Sequence, residues 1–302
     1  MTVERVRLSP PAQAPSEPTP RRSERARRRR RRHPLKTGAL IIALVALAVV
    51  FAMPLLWMLS SSVKPESEVL QTPPTIFPSE FRWDNYSSVA TGLLPFFLNS
   101  VKLAALNVSF LLLFASMAGY AFARLDFAFK RVAFALLLST AMLPSMVYLI
   151  PQYMLFSKIG WIDTHYPLWV PNVLTPMIGT FLLRQAFRGV PMELEEAARL
   201  DGASIFTTFW RVMVPQVRPT LAAVGVLTFM TSWNDLFGPL IFINSTRLQT
   251  MPIALALFRG EYLTQTSLMM AAATLTILPP LVIFLVAQKY FVQGITMSGL
   301  KG

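Results

Sequence analysis

Long stretches without a charged residue set the pattern of this chain, and their lengths predict its elements. A charge in hydrocarbon is costly, and about 20 apolar residues rising about 1.5 Å each are needed to cross a bilayer as a helix. No charge interrupts the 27 residues from Thr37 to Val63, the 21 from Leu103 to Ala123 or the 26 from Val132 to Ser157. A fourth stretch, Thr164 to Leu183, has 20 residues but carries Pro167, Pro171 and Pro176, which puts the expected start of its helix near Pro171. A fifth runs from Pro219 to Ile243 with one charge, Asp235, and a sixth lies within Tyr262 to Gln288. The pattern predicts an all-α membrane protein with six transmembrane helices, near residues 38–62, 97–123, 132–156, 169–187, 219–243 and 266–289. Pro144 and Pro151 in the third span and Pro279-Pro280 in the sixth are expected to break their helices where neighbours re-satisfy the backbone.

Composition agrees, with 54% hydrophobic and 14% charged residues against a globular norm of about a quarter charged. The net charge of +13 would suggest a nucleic-acid partner if it were spread over a folded surface, but it is not. Residues 1–38 hold 12 basic groups and three acids, and the run Arg27 to Arg32 lies among Pro and Ser, so residues 1–36 read as a disordered basic tail ahead of a transmembrane domain at 37–302. Such a tail fixes topology and attracts anionic lipid. No nucleic-acid-binding fold accompanies it. Export signals built on basic residues are cleaved, whereas here the first apolar run is too long for a signal core and five spans follow. With the N-terminus inside, 22 of the basic residues fall on cytoplasmic segments and five on outer ones, so both termini are expected in the cytoplasm. The chain has no Cys, and its two His lie in the tail (His33) and an outer connection (His165), which argues against a metal centre and against an intramembrane hydrolase.

The connection between spans four and five, residues 188–218, is dense in charge and reads as two short helices with a break. Pro191 suits a first helical turn, Glu193, Glu195 and Glu196 favour the dipole there, and Gly202 suits a positive φ that ends the helix. A second helix near Ser204 to Met213 places Ile205, Phe209 and Val212 on one face, and Pro215 is expected to stop it.

The spacing of Glu196-Ala197-Ala198, Gly202 and Val212-x-Val214-Pro215 closely resembles the EAA loop of ABC importer permeases, EAA-x3-G-x9-I-x-L-P, with Val at the Ile and Leu positions. Asn99-Ser100, Gly119-Tyr120-Ala121-Phe122-Ala123-Arg124, Met142-Leu143-Pro144, Trp233-Asn234-Asp235 and the ending Gly294 to Gly302 resemble carbohydrate importer permeases of the maltose-system type, the smaller permease subunit above all. The resemblance implies a type I importer fold in a prokaryotic cytoplasmic membrane, a second permease subunit, two copies of a cytoplasmic ABC ATPase and an extracytoplasmic sugar-binding protein. It assigns ATPase coupling to Glu195, Glu196, Ala197, Ala198, Asp201, Gly202 and Pro215, and a C-terminal ATPase contact to Gly294, Gly299, Lys301 and Gly302. Independently, the chain has no G-x-x-x-x-G-K-[ST] phosphate loop, so ATP and Mg belong to a partner and no cofactor is expected here. A permease for glycerol phosphate or a polyol shares the same loop. A secondary transporter is less favoured, since no internal repeat is visible.

Asp235 is the one acidic group inside a predicted span, and such a carboxylate faces a protein interior or a wet pathway. With Ser232, Trp233 and Asn234 it is a candidate for the translocation pathway. A hydrogen bond locking span five is an equal reading. Asn99, Asn107 and Tyr120 are weaker candidates of the same kind, for which helix packing or capping is favoured.

Overall fold

In hydrocarbon a backbone must satisfy its own N–H and C=O groups, and a helix does so within one segment. The computed structural model, which describes residues 34–261 and 265–298, is built of helices, with no strand among the described residues. Two compact units are distinguished, residues 1–53 and 54–302. Helix α1 (Pro34–Ser62) begins in the first. Its stretch Leu40–Ser62, with mean hydropathy 2.8, is long and apolar enough to cross a membrane, and Ser61 and Ser62 are buried at its end. Of the expected tail, only residues 34–36 are described, and they belong to α1.

In the second unit α2 (Glu66–Val69) precedes α3 (Asp84–Arg124), a 41-residue helix that packs against most later elements. It is longer than the second predicted span because Lys102, exposed on its flank, interrupts the apolar run without interrupting the helix. The third predicted span is two helices, α4 (Lys130–Ser139) and α5 (Leu149–Lys158), joined by 3-10 turns at Thr140–Met142 and Ser145–Tyr148 on either side of Leu143 and Pro144. Pro151, expected to break it, sits in the first turn of α5, where a missing N–H costs nothing.

The fourth span is also segmented, into α6 (Tyr166–Leu174) and α7 (Met177–Gly189). It starts at Tyr166 rather than Pro171, and the break falls at Thr175-Pro176. The charged connection holds α8 (Met192–Leu200), α9 (Ile205–Thr207), a π-helical turn at Thr208–Met213 and α10 (Val214–Gln216). Span five follows as α11 (Arg218–Trp233) and α12 (Phe237–Phe242). Then come α13 (Met251–Glu261) and α14 (Thr266–Ser298). Helix α14 runs unbroken through Pro279-Pro280, contrary to expectation, as transmembrane helices tolerate proline where neighbouring groups re-satisfy the freed carbonyls.

Among the described residues three helices are long and apolar enough to cross a membrane alone, Leu40–Ser62, Asp84–Arg124 and Thr266–Gln288. The pair Ile205–Gln216 and Arg218–Trp233, bent by 80°, makes a fourth candidate. Close packing of α3 on α7 depends on small residues: a Cβ on Gly119 would lie 3.0 Å from the Arg184 backbone nitrogen, and one on Gly179 would lie 3.0 Å from the Ala115 Cβ. Around this contact Ala115, Tyr120, Leu183, Phe187, Phe209 and Met213 form one buried cluster. A second, with Val89, Trp233, Met251 and Ala271, joins α3, α11, α13 and α14.

Candidate functional site

All three broken spans open onto the same cavity, of about 850 Å³. The break of span three contributes Thr140, Leu143 and Tyr148, that of span four Thr175 and Pro176, and that of span five Asp235 and Phe237. Irregular backbone at membrane depth is tolerated where it is buried in protein or lines a wet cavity, so the convergence of three breaks marks this as an interior cavity, with a mostly apolar wall that carries a set of polar groups.

Its four threonine hydroxyls are already committed as donors to their own helices. Thr228 donates to the Val224 carbonyl (2.8 Å), Thr231 to Leu227 (2.9 Å), Thr140 to Leu137 (2.7 Å) and Thr175 to Pro171 (2.9 Å). What remains on each is a lone pair. Asp235 Oδ1 accepts from the Gly238 backbone N–H (3.0 Å) and so caps the first turn of α12. No salt bridge pairs Asp235 with a cation among the described residues. Asn107 also lines the cavity, yet its amide N–H groups are consumed by the Leu103 and Leu168 carbonyls and Ser232 Oγ (3.1–3.2 Å), which makes it a packing hub between α3, α6 and α11.

The other sequence candidates lie elsewhere. Trp233 is buried in the second cluster, its indole donating to the Thr276 carbonyl (3.2 Å). Asn234 is exposed and bonds back to Met230 (2.8 Å). Asn99 donates to the Arg247 and Gln249 carbonyls (2.8 and 2.9 Å), fastening α3 to the turn before α13. Tyr120 lies at the α8 end of α3, where its hydroxyl donates to Glu195 Oε1 (3.0 Å). None of these four lines the cavity, and each spends its polar group on backbone or on a buried carboxylate.

The charged connection has two faces. Gly202 turns the chain at φ 80°, the left-handed conformation that favours glycine. On the inner face Glu195 is buried, accepting from Tyr120 and from Arg199 Nη2 (2.9 Å), with Arg124 Nε 3.7 Å from its second oxygen. Arg124 also donates to the carbonyls of Phe187 (2.7 Å) and Val190. The outer face exposes Glu196, Ala197, Asp201 and Gly202 beside apolar side chains, with Leu200 89% and Phe206 64% exposed. Ile205 does not share the buried face of Phe209, as expected from an α-helical spacing, because the π-turn resets the register and buries Thr208, Phe209 and Met213 instead. Nor does Pro215 stop the segment: it sits in the first turn of α10, and the chain bends at Val217. Arg124, which the sequence shows only as the end of a family-like motif, gains its role here as a basic group closing a long apolar helix. Of the proposed C-terminal contact, Gly294 lies on α14, and Gly299, Lys301 and Gly302 lie outside the described residues.

Apolar helices enclosing a cavity at their breaks, with a charged helical loop at one end, are the features of a membrane transport subunit. The chain belongs to the family of binding-protein-dependent transport system inner membrane components, whose family model matches residues 111–297. It is 33% identical to the arabinooligosaccharides transport system permease protein AraQ of Halalkalibacterium halodurans, over 91% of this chain and 100% of that one. It is 31% identical to the lactose transport system permease protein LacG of Rhizobium radiobacter (89% and 97%) and 32% identical to the trehalose transport system permease protein SugB of Mycobacterium tuberculosis (83% and 92%). Its fold is that of a chain in a bacterial ABC transporter for the acidic polysaccharide alginate, with TM-score 0.71 at 21% identity over 86% of this chain and 98% of that one. The protein is thus a multi-pass inner-membrane subunit of an ABC importer, a transport component rather than an enzyme.

Proposed function

We propose that this subunit forms half of the translocation pathway of an ATP-driven importer for an uncharged sugar. The observation that carries the reading is the chemistry of the cavity: hydroxyl lone pairs, one unpaired carboxylate, and no Lys, Arg or His among the described residues that line it. A phosphorylated solute such as glycerol phosphate calls for cations or clustered N–H donors, and it would meet Asp235 with like charge. A neutral polyhydroxy solute, each hydroxyl able to donate, suits an acceptor-rich wall. The relatives named for arabinooligosaccharides, lactose and trehalose support a sugar in particular.

In this reading a second permease subunit completes the pathway, and an extracytoplasmic binding protein delivers the sugar. Two copies of a cytoplasmic ATPase, which bind ATP and Mg, dock on the outer face of the α8–α10 loop, where Leu200 and Phe206 supply apolar area and Glu196 and Asp201 charge. The distribution of basic residues supports placing that loop and both termini in the cytoplasm, and residues Gly294 to Gly302 are then on the side where they can reach the ATPase. The test is ATP-dependent uptake by the full complex in proteoliposomes, with competing solutes. Sugar uptake that sugar phosphates do not inhibit is the expected result; uptake of the phosphorylated compound instead sinks the reading.

A further inference from the structure

We infer that the cavity at the three helix breaks is a solute-contact site on this subunit, in which Asp235 Oδ2 accepts a hydrogen bond from a sugar hydroxyl during transit. The inference rests on the reading of the chain as a sugar permease and adds where, and by which atoms, this half of the pathway holds its cargo.

Asp235 is more than its capping role requires. Closing the first turn of α12 takes one acceptor, and Oδ1 supplies it to the Gly238 N–H. Asn or Ser caps a helix as well as Asp does without placing a charge in a transmembrane segment. The carboxylate also accepts from the Phe237 backbone N–H, but it meets no side-chain donor and no cation among the described residues, which leaves lone pairs on the second oxygen. It also has reserved space: a Cβ at position 238 would lie 2.5 Å from Oδ2, so the glycine leaves the carboxylate where it stands.

The surroundings fit a hydroxylated ligand. Thr228 lies two turns back along α11 from Asp235, its proton bound to Val224 and its lone pairs left over. Ser232 accepts from Asn107 (3.1 Å) and keeps its own proton to donate. Gln152, half-buried on α5 across the cavity wall, has a side-chain amide with no partner among the described residues. Tyr148 and Phe237 bring aromatic rings to the lining, groups suited to the C–H faces of a pyranose. A carboxylate that accepts from hydroxyls gains a charge-assisted hydrogen bond, and a site built this way discriminates strongly against analogues lacking the hydroxyl.

The experiment uses the complete complex, with partner permease, ATPase and binding protein, in proteoliposomes, and reads sugar uptake and ATP hydrolysis together. Asp235→Asn keeps the Oδ1 cap and the shape but replaces the free acceptor with a donor. Its uptake is expected to fall about tenfold, the loss of a hydrogen bond to a charged group, while ATP hydrolysis driven by the sugar-loaded binding protein stays within about twofold. Gly238→Ala, which drives Oδ2 aside without removing the charge, and Gln152→Ala are expected to lower uptake per ATP in the same sense. Unchanged uptake per ATP in Asp235→Asn and Gln152→Ala overturns the inference. So does a parallel fall of uptake and hydrolysis, which assigns Asp235 to packing or to an ion pair with the second permease subunit. A wild-type complex that hydrolyses ATP but moves no sugar overturns the sugar reading itself, and the site assignment with it. Failure of the site alone is recognised by normal wild-type transport.

Discussion

Arg124 and Glu195 face one another 3.7 Å apart at the joint between the end of α3 and helix α8, with only 5% and 3% of their side chains exposed. The distance is that of an ion pair rather than a hydrogen bond, and both groups find their hydrogen bonds elsewhere: Arg124 on the Phe187 and Val190 carbonyls, Glu195 on Tyr120 and Arg199. The carboxylate therefore ties the loop to α3 and, through Arg124, to the end of α7. A force applied to the outer face of α8 reaches the two most closely packed helices through this joint.

Removing one member of a buried pair strands the other. Glu195→Ala leaves the Arg124 charge without its counterion and the Tyr120 hydroxyl without an acceptor, and is expected to destabilise the subunit by about 3 kcal/mol. Arg124→Ala is expected to cost a similar amount, and the double variant less than the sum, because the two share one interaction. Thermal unfolding of the purified complex measures all three. Additive losses would show that the pair is not coupled.

The exposed edge of the same loop should behave in the opposite way. Phe206→Asp and Leu200→Asp alter side chains that touch little within this chain, so stability is expected to change by less than about 0.5 kcal/mol. If the ATPase docks there, a buried charge in that interface costs several kcal/mol, and ATP hydrolysis stimulated by the loaded binding protein falls more than about tenfold. Hydrolysis at the wild-type level in both variants would move the docking surface elsewhere.

The Glu66 carboxylate accepts from the backbone N–H groups of Thr266 (2.7 Å) and Ser267 (2.8 Å) and from the Ser267 hydroxyl (2.8 Å), capping α14 from 200 residues away. Partial burial pulls its carboxyl upward, but the bonds from Ser267 and Thr266 outweigh it and hold the group below its ordinary value of 4.5. A depressed carboxyl contributes stability above its unfolded value and loses it as pH falls through the folded one. The cap is therefore intact at neutral pH and weakens below about pH 4.5. The unfolding temperature of wild type is expected to drop more between pH 6 and pH 4 than that of Glu66→Gln; equal slopes would assign the acid sensitivity to other carboxylates.

Charge gaps point to crossing segments because the penalty for a charge in hydrocarbon is local and visible in composition, and three of the gaps fall on helices long and apolar enough to cross. They did not reveal the breaks. Proline was an unreliable guide: Pro144 and Pro176 accompany breaks, Pro151 starts a helix, and Pro279-Pro280 sit inside one. The break in span five, between Trp233 and Phe237, has no proline at all and is held by the Asp235 cap, a tertiary choice. The loop motif was legible as spacing, and Gly202 turned as its type suggests. Which of its acids faces inward was not, since Glu195 and Glu196 are neighbours and only the position of Tyr120 and Arg124 on α3 distinguishes them. Asp235 was found because an acid in a span is conspicuous. Thr228, Gln152 and Asn172 were not, because small polar residues in membrane helices are common and only their convergence on one cavity marks them.

Two glycines on paired helices offer a last contrast. At Gly119 a Cβ would meet the Arg184 nitrogen and the Leu183 Cβ at 3.0 Å, and backbone cannot step aside as a side-chain tip can. Gly119→Val must push α3 from α7, which overpacks the buried cluster and costs about 1–3 kcal/mol. It also displaces Tyr120, one residue on, so the Glu195 anchor loosens. At Gly189, the last residue of α7, nothing lies within 4 Å of an added Cβ. Gly189→Ala there removes chain entropy from the unfolded state and is expected to stabilise the subunit by about 0.5 kcal/mol. Unfolding temperatures shifting in opposite directions are the expected outcome. A Gly119→Val complex as stable as wild type would mean that α3 and α7 do not approach as closely as the small residues at their contact allow.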